Sequence, residues 1–84
     1  MIVWETIVVE QLHDHWSAWF RNEPGTGYGG EWPSQAIDRL LLANNSELFD
    51  TDQIHPIDEQ TLVGHLEFVI RYLGSNELPE TSLN

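Results

Sequence analysis

Between Asn22 and Trp32 the chain carries Pro24, Gly25, Gly27, Gly29 and Gly30, and no long regular element can run through such a stretch. Glycine loses the most backbone freedom on ordering, and proline lacks the amide proton that a helix or an inner strand needs. The chain is therefore cut into an N-terminal part and a C-terminal part, each of which has to offer an apolar face to the other. With 84 residues in all, there is room for one small domain around one core.

On the N-terminal side, residues 2–9 (IVWETIVV) are rich in β-branched types, but their alternation of apolar and polar residues is imperfect. From about Val8 a helical period takes over. Val9, Leu12, Trp16, Trp19 and Phe20 recur at three- and four-residue spacing, with Glu10, Gln11, His13, Asp14, Ser17 and Arg21 between them, which predicts a helix over residues 8–22 behind a short extended lead-in. After the glycines, Pro33 occupies a first helical position, where its missing N–H costs nothing. Ala36, Ile37, Leu40 and Leu41 form the stripe of a second helix, which Asn44-Asn45 stops near residue 44.

Residues 47–57 read as an irregular segment pinned to the core by Leu48, Phe49, Ile54 and Ile57. Asp58 can cap a third helix. Its stripe is Leu62, Leu66, Val69 and Leu73, widened by Val63 and Ile70, and Gly74 terminates it. The expected fold is thus mainly α: a compact three-helix domain over residues 1–74, with the Gly-rich loop between helices 1 and 2. Residues 75–84 form a frayed polar tail. The alternative is an α+β arrangement in which the N-terminal segment pairs with residues 53–57.

Charge is the abnormal feature of the composition. Fourteen acids face three bases, Arg21, Arg39 and Arg71; there is no lysine, and the formal net charge is −11. A field of that sign repels nucleic acid and anionic lipid and attracts basic protein surfaces. No apolar run approaches the ~20 residues of a membrane-spanning helix. Met1-Ile2-Val3-Trp4-Glu5 lacks the positive region and cleavage site of a secretory signal. A soluble cytoplasmic protein without membrane association is the expectation. With no cysteine, disulfides and thiolate metal sites are excluded.

Several motifs match in letters and fail in context. Gly25-Thr26-Gly27-Tyr28-Gly29-Gly30 fits G-x-G-x-x-G, but a dinucleotide fingerprint follows a strand of a βαβ unit, and here a helix is expected before the loop. A phosphate-cradling loop of the Walker type needs a lysine. Counted from Asp50, an EF-hand would require glycine at His55 and glutamate at Thr61. His13 and His15 lie two positions apart, too divergent on a helix to share one metal. None of the serines sits in a G-x-S-x-G elbow, and so small an acidic domain leaves little room for a pocket of ~300 Å³. No catalytic role, cofactor or metal is expected. The formal sequon Asn44-Asn45-Ser46 reads as helix-end chemistry.

The expected function is a non-enzymatic module that docks its acids on a basic surface of a partner protein. The acids Glu47, Asp50, Asp52, Asp58 and Glu59 form the candidate ridge, and Tyr28 and Trp32 are candidate aromatic anchors. The sharper alternative is a nucleic-acid-mimic inhibitor of a DNA- or RNA-handling protein, of the kind phages and plasmids encode. A small domain with a weak divalent-metal or nucleotide site is the third reading, and high-salt adaptation would explain the acids with no partner at all. An apolar face left uncovered would be satisfied equally by a homodimer.

Overall fold

The β-branched run at the N-terminus and the apolar stretch near the C-terminus find each other as strands. The computed structural model describes residues 2–57 and 62–74. Among these, the elements in chain order are β1 (Val3–Gln11), β2 (Trp16–Phe20), β3 (Tyr28–Gly30), α1 (Pro33–Ala43), a 3₁₀ turn at Ser46–Leu48, β4 (Phe49–Pro56) and β5 (His65–Tyr72). The strands form one antiparallel sheet in the order β3-β2-β1-β5-β4, with α1 packed on one face. The mainly α three-helix domain expected above is therefore overturned: this is a helix-on-sheet fold.

Strand pairing explains the correction residue by residue. Where a helix over 8–22 was expected, β1 and β2 form a hairpin, with Ile7 opposite Phe20, Val9 opposite Ala18 and Gln11 opposite Trp16. Residues 12–15 make the turn, closed by the Leu12 amide donating to the His15 carbonyl at 2.7 Å. In β2, Trp16, Ala18 and Phe20 point to the core while Ser17 and Trp19 point away, as the two-residue period of a strand demands. The tryptophan on the outer face is what counterfeited a helical stripe. In the same way β5 directs Leu66, Phe68, Ile70 and Tyr72 inward in place of the expected third helix, and Val69 outward. The expected pairing of the N-terminal segment with residues 53–57 does not form either, because β5 lies between β1 and β4.

The second helix is where the sequence placed it. Pro33 opens α1, and Ala36, Ile37, Leu40 and Leu41 are its buried residues. Ile37, Leu40 and Leu41 each contribute about 1.5–3 kcal/mol relative to exposure, and the single methyl of Ala36 about 0.8 kcal/mol. Asn45 takes the left-handed conformation expected of a stop, with φ 68°. The Asn44 side-chain amide donates to the Leu40 carbonyl at 2.9 Å, satisfying one of the free carbonyls of the last turn.

Two glycines of the presumed loop belong to β3. A Cβ on Gly30 would lie 2.5 Å from the Ala36 amide nitrogen, so the bare backbone there is what lets α1 settle on the sheet. The core so formed joins Ile7, Val9, Ala18 and Phe20 to the four α1 residues, Phe49 and Ile70. The opposite face of the sheet carries no helix among the described residues. It displays Trp4, Val8, Glu10, Trp19, Arg21, His65, Glu67 and Arg71 by the same registers.

Candidate functional site

The helix reaches β3, β2 and β1, and where its C-terminal end lifts from the sheet a cleft of about 360 Å³ opens. Glu5 of β1, Phe20 of β2, Asn22 and Glu23 of the following loop, Asn44 at the end of α1, Leu48, Phe49 of β4 and Tyr72 of β5 line it. A cleft above the ~300 Å³ of small ligand sites is more room than the length of the chain promised.

The walls are aromatic. Phe20 and Phe49 stack with centroids 5.3 Å apart and planes 16° from parallel, and Tyr72 meets Phe49 at 5.4 Å and 61°. The fold brings the three rings together from β2, β4 and β5. Phe49 stands opposite Tyr72 in the β4–β5 register, and Phe20 lies two strands away on the same face.

Against these rings stand carboxylates. Glu5 occupies an inward position of the central strand, between the inward Val3 and Ile7 and opposite the fully buried Ile70. It is half-buried, and among the described residues no hydrogen bond or ion pair reaches its carboxylate. Glu23 adds a second carboxylate at the rim. None of the three arginines lines the cleft. Arg39 donates to the Gly29 carbonyl at 2.8 Å, Arg21 pairs with Glu67 on the opposite face, and Arg71 stands opposite Trp4 on that face. The Asn44 amide nitrogen is committed to Leu40, so its carbonyl oxygen is the group left to accept. Chemically the cleft is an acceptor-rich, negatively charged recess with an aromatic wall, suited to a cation.

The residues selected from the sequence are placed differently. Asp50 and Asp52 lie on β4, at one edge of the sheet, and Glu47 is exposed in the 3₁₀ turn just before it. The Asp52 amide donates to Asp50 Oδ1 at 3.1 Å where the strand bulges between Asp50 and Ile54. Tyr28 is half-buried on β3 at the opposite edge, and Trp32, 63% exposed, precedes α1 beside it. Asp50 and Asp52 thus stand four strand spacings, roughly 19 Å along a flat sheet, from Tyr28 at the other edge. Asp58 and Glu59 lie outside the described residues. Glu47 and Asp50 flank Leu48 and Phe49, which line the cleft. Glu5 was missed because residues 2–9 were not assigned a strict alternation; read as Val3, Glu5, Ile7, Val9, a lone carboxylate stands out on an apolar face.

On the opposite face, His65 Nδ1 lies 2.9 Å from Glu10 and its Nε2 2.9 Å from Glu67. The hydrogen bond to Glu67, then that to Glu10, raises the imidazole pKa, and the same bond from His65 lowers that of Glu67. The two carboxylates bind opposite ring nitrogens, so they do not converge on a common point. Among the described residues no cluster of His, Cys, Asp or Glu is placed to hold a metal ion, and no helix is long and apolar enough to cross a membrane. A second, more open hollow of about 630 Å³ runs along β3 and α1, with Asp14, His15 and Arg39 on its walls. Here the hydrogen bond between His15 and Asp14, at 2.8 Å, lowers the pKa of Asp14.

No known protein family matches this chain, and no curated protein or solved structure is significantly similar to it.

Proposed function

We propose that the protein is a non-catalytic acidic binding module that docks on a basic surface of a partner protein and takes a cationic group of that partner into the cleft beside Glu5. One observation carries this reading: a half-buried carboxylate, unpaired among the described residues, faces aromatic rings on the core side of the sheet. A carboxylate set beside aromatic rings in a recess that no arginine lines attracts a cation by charge and by the ring faces together. The net charge of −11 supports the same reading at longer range, since it steers a basic partner toward the molecule and speeds encounter. The acids on β4 and in the preceding turn would form the rim of that contact rather than its centre.

Titration of the ¹⁵N-labelled full chain with a mixed Arg/Lys peptide tests this. Expected are saturable shifts at Glu5, Glu23, Asn44 and Tyr72 that weaken at about 0.5 M salt, where the Debye length is only a few ångströms. Shifts spread evenly over all exposed acids, or none, would reject the module. The nucleic-acid-mimic alternative stands on composition. It predicts that duplex DNA displaces the protein from its partner while the cleft signals stay where they are.

A further inference from the structure

The geometry points to a guanidinium group, the side-chain head of an arginine on the partner, as the ligand of the cleft formed by Glu5, Glu23, Asn44, Phe20, Phe49 and Tyr72. This rests on the cation-docking reading above and narrows it from any positive charge to one chemical shape.

Three features select guanidinium over ammonium. The first is the count of acceptors. Glu5, Glu23 and Asn44 border one recess, and with an N–H of the Asn44 amide held by the Leu40 carbonyl at 2.9 Å its side-chain oxygen is the acceptor Asn44 can add. Guanidinium carries five N–H donors in a planar fork and can serve several acceptors at once, whereas ammonium is a compact point charge with three. The second is the wall. Phe20 and Phe49 are buried and stacked on each other, and Tyr72, half-buried, meets Phe49 at 61° and offers the accessible ring of the wall. A flat, weakly hydrated cation packs against such a ring, while a strongly hydrated ammonium loses more on entering. The third is Glu5 itself, which is set in an apolar strand face opposite Ile70. In that setting a two-pronged partner meets both carboxylate oxygens at once, which one ammonium does poorly.

The test uses three small probes of matched shape: N-acetyl amides of arginine, lysine and citrulline, the last being the neutral isostere of arginine. Each is titrated into the ¹⁵N-labelled full chain. The arginine probe is expected to shift the amides of Glu5, Asn44, Phe49 and Tyr72 and to bind at least about fivefold more tightly than the lysine probe, a preference of the size one extra charge-assisted hydrogen bond supplies. Citrulline should leave these signals in place. Glu5→Gln keeps the side-chain shape, and preserved amide dispersion will show that it folds. It should weaken the arginine probe by about tenfold, while Asp52→Asn, at the sheet edge, should not.

Equal binding of arginine and lysine probes, binding of citrulline as tight as that of arginine, or an unaltered affinity in Glu5→Gln would overturn the guanidinium assignment. These failures are separable from failure of the module itself. If the mixed Arg/Lys peptide binds at the cleft but arginine has no advantage, only the guanidinium assignment falls. If no basic peptide binds, both fall together.

Discussion

His65 on β5 reaches Glu10 on β1 across 55 residues of sequence, with its Nδ1 2.9 Å from the Glu10 carboxylate. The other ring nitrogen meets Glu67, which also pairs with Arg21 of the loop after β2. A neutral imidazole has one donor and one acceptor, so two carboxylate contacts are both satisfied only by the imidazolium. The bridge ties the central strand pair on the face opposite the helix, and it does so in one protonation state.

A pH dependence of stability follows. The His65 pKa is raised on folding, so its contribution is full below the unfolded value of about 6.5 and is lost as pH climbs through the folded value. The Glu67 pKa is lowered, so its contribution is present above the ordinary glutamate range and is lost as pH falls through the folded value. Stability should therefore decline as pH rises above about 6.5, by no more than the ~1 kcal/mol of a solvent-accessible ion pair. His65→Gln should flatten that slope in urea melts taken across the range. An identical slope in the variant would place the titration elsewhere.

The packing of α1 makes a sharp prediction at Gly30. An added methyl group there would meet the Ala36 nitrogen at 2.5 Å and the Gln35 carbonyl carbon at 2.9 Å, both backbone atoms that cannot step aside. Gly30→Ala should cost about 2–3 kcal/mol, at the upper end of overpacking penalties. Gly25→Ala, where nothing lies within 4 Å, should leave the thermal midpoint unchanged or slightly raised. Calorimetry on the two variants compares them directly.

The helix face can be checked by a pair of leucines two residues apart. Leu40 is 1% exposed and Leu42 71%. Leu40→Ala should lose about 2–5 kcal/mol, and Leu42→Ala should stay within about 0.5 kcal/mol. Similar losses in both would mean that α1 is rotated from the orientation described.

Stability and binding should trade off at Glu5. Replacing the inward carboxylate by leucine removes a charge that has no partner among the described residues and extends the apolar row of Val3, Ile7 and Val9. Glu5→Leu is expected to raise stability by about 1 kcal/mol while abolishing the cleft response to basic peptide. Chemical denaturation and the titration read the two effects separately, and a destabilised Glu5→Leu would show that the carboxylate is structurally required.

At the sheet edge the acids have a protective task whatever they bind. β4 ends the sheet, and its exposed stretch Thr51-Asp52-Gln53 bulges out of register. Charge and bulge both discourage edge-to-edge pairing. Asp52→Val should increase concentration-dependent association in light scattering with little change in the monomer's melting point.

How much of this was legible beforehand depended on whether an element had one apolar face or two. Helix α1 has one. Ala36, Ile37, Leu40 and Leu41 repeat with the helical period, Pro33 opens the run and Asn45 turns it off, so local chemistry and packing agree. The central strands have two. In β1 the inward Ile7 and Val9 alternate with outward Trp4 and Val8, and in β2 the outward Trp19 sits between inward Ala18 and Phe20. Apolar residues on both faces erase the two-residue period, and the leftover spacing of Trp16, Trp19 and Phe20 imitates a helix. The glycines misled for a related reason. Gly29 and Gly30 signalled a loop, yet their lack of a side chain serves the approach of α1 to β3.

The chain's letters alone were enough to establish its charge and one helix, the one after Pro33 with its buried stripe, because these follow from composition and from contacts a few residues apart. The sheet order, the inward placement of Glu5 and the meeting of Phe20, Phe49 and Tyr72 were decided by tertiary structure. Each depends on strand registers that join residues tens of positions apart. A shift of one residue in such a register exchanges the two faces of a strand, and only the assembled core, with α1 seated on one face, selects which is buried.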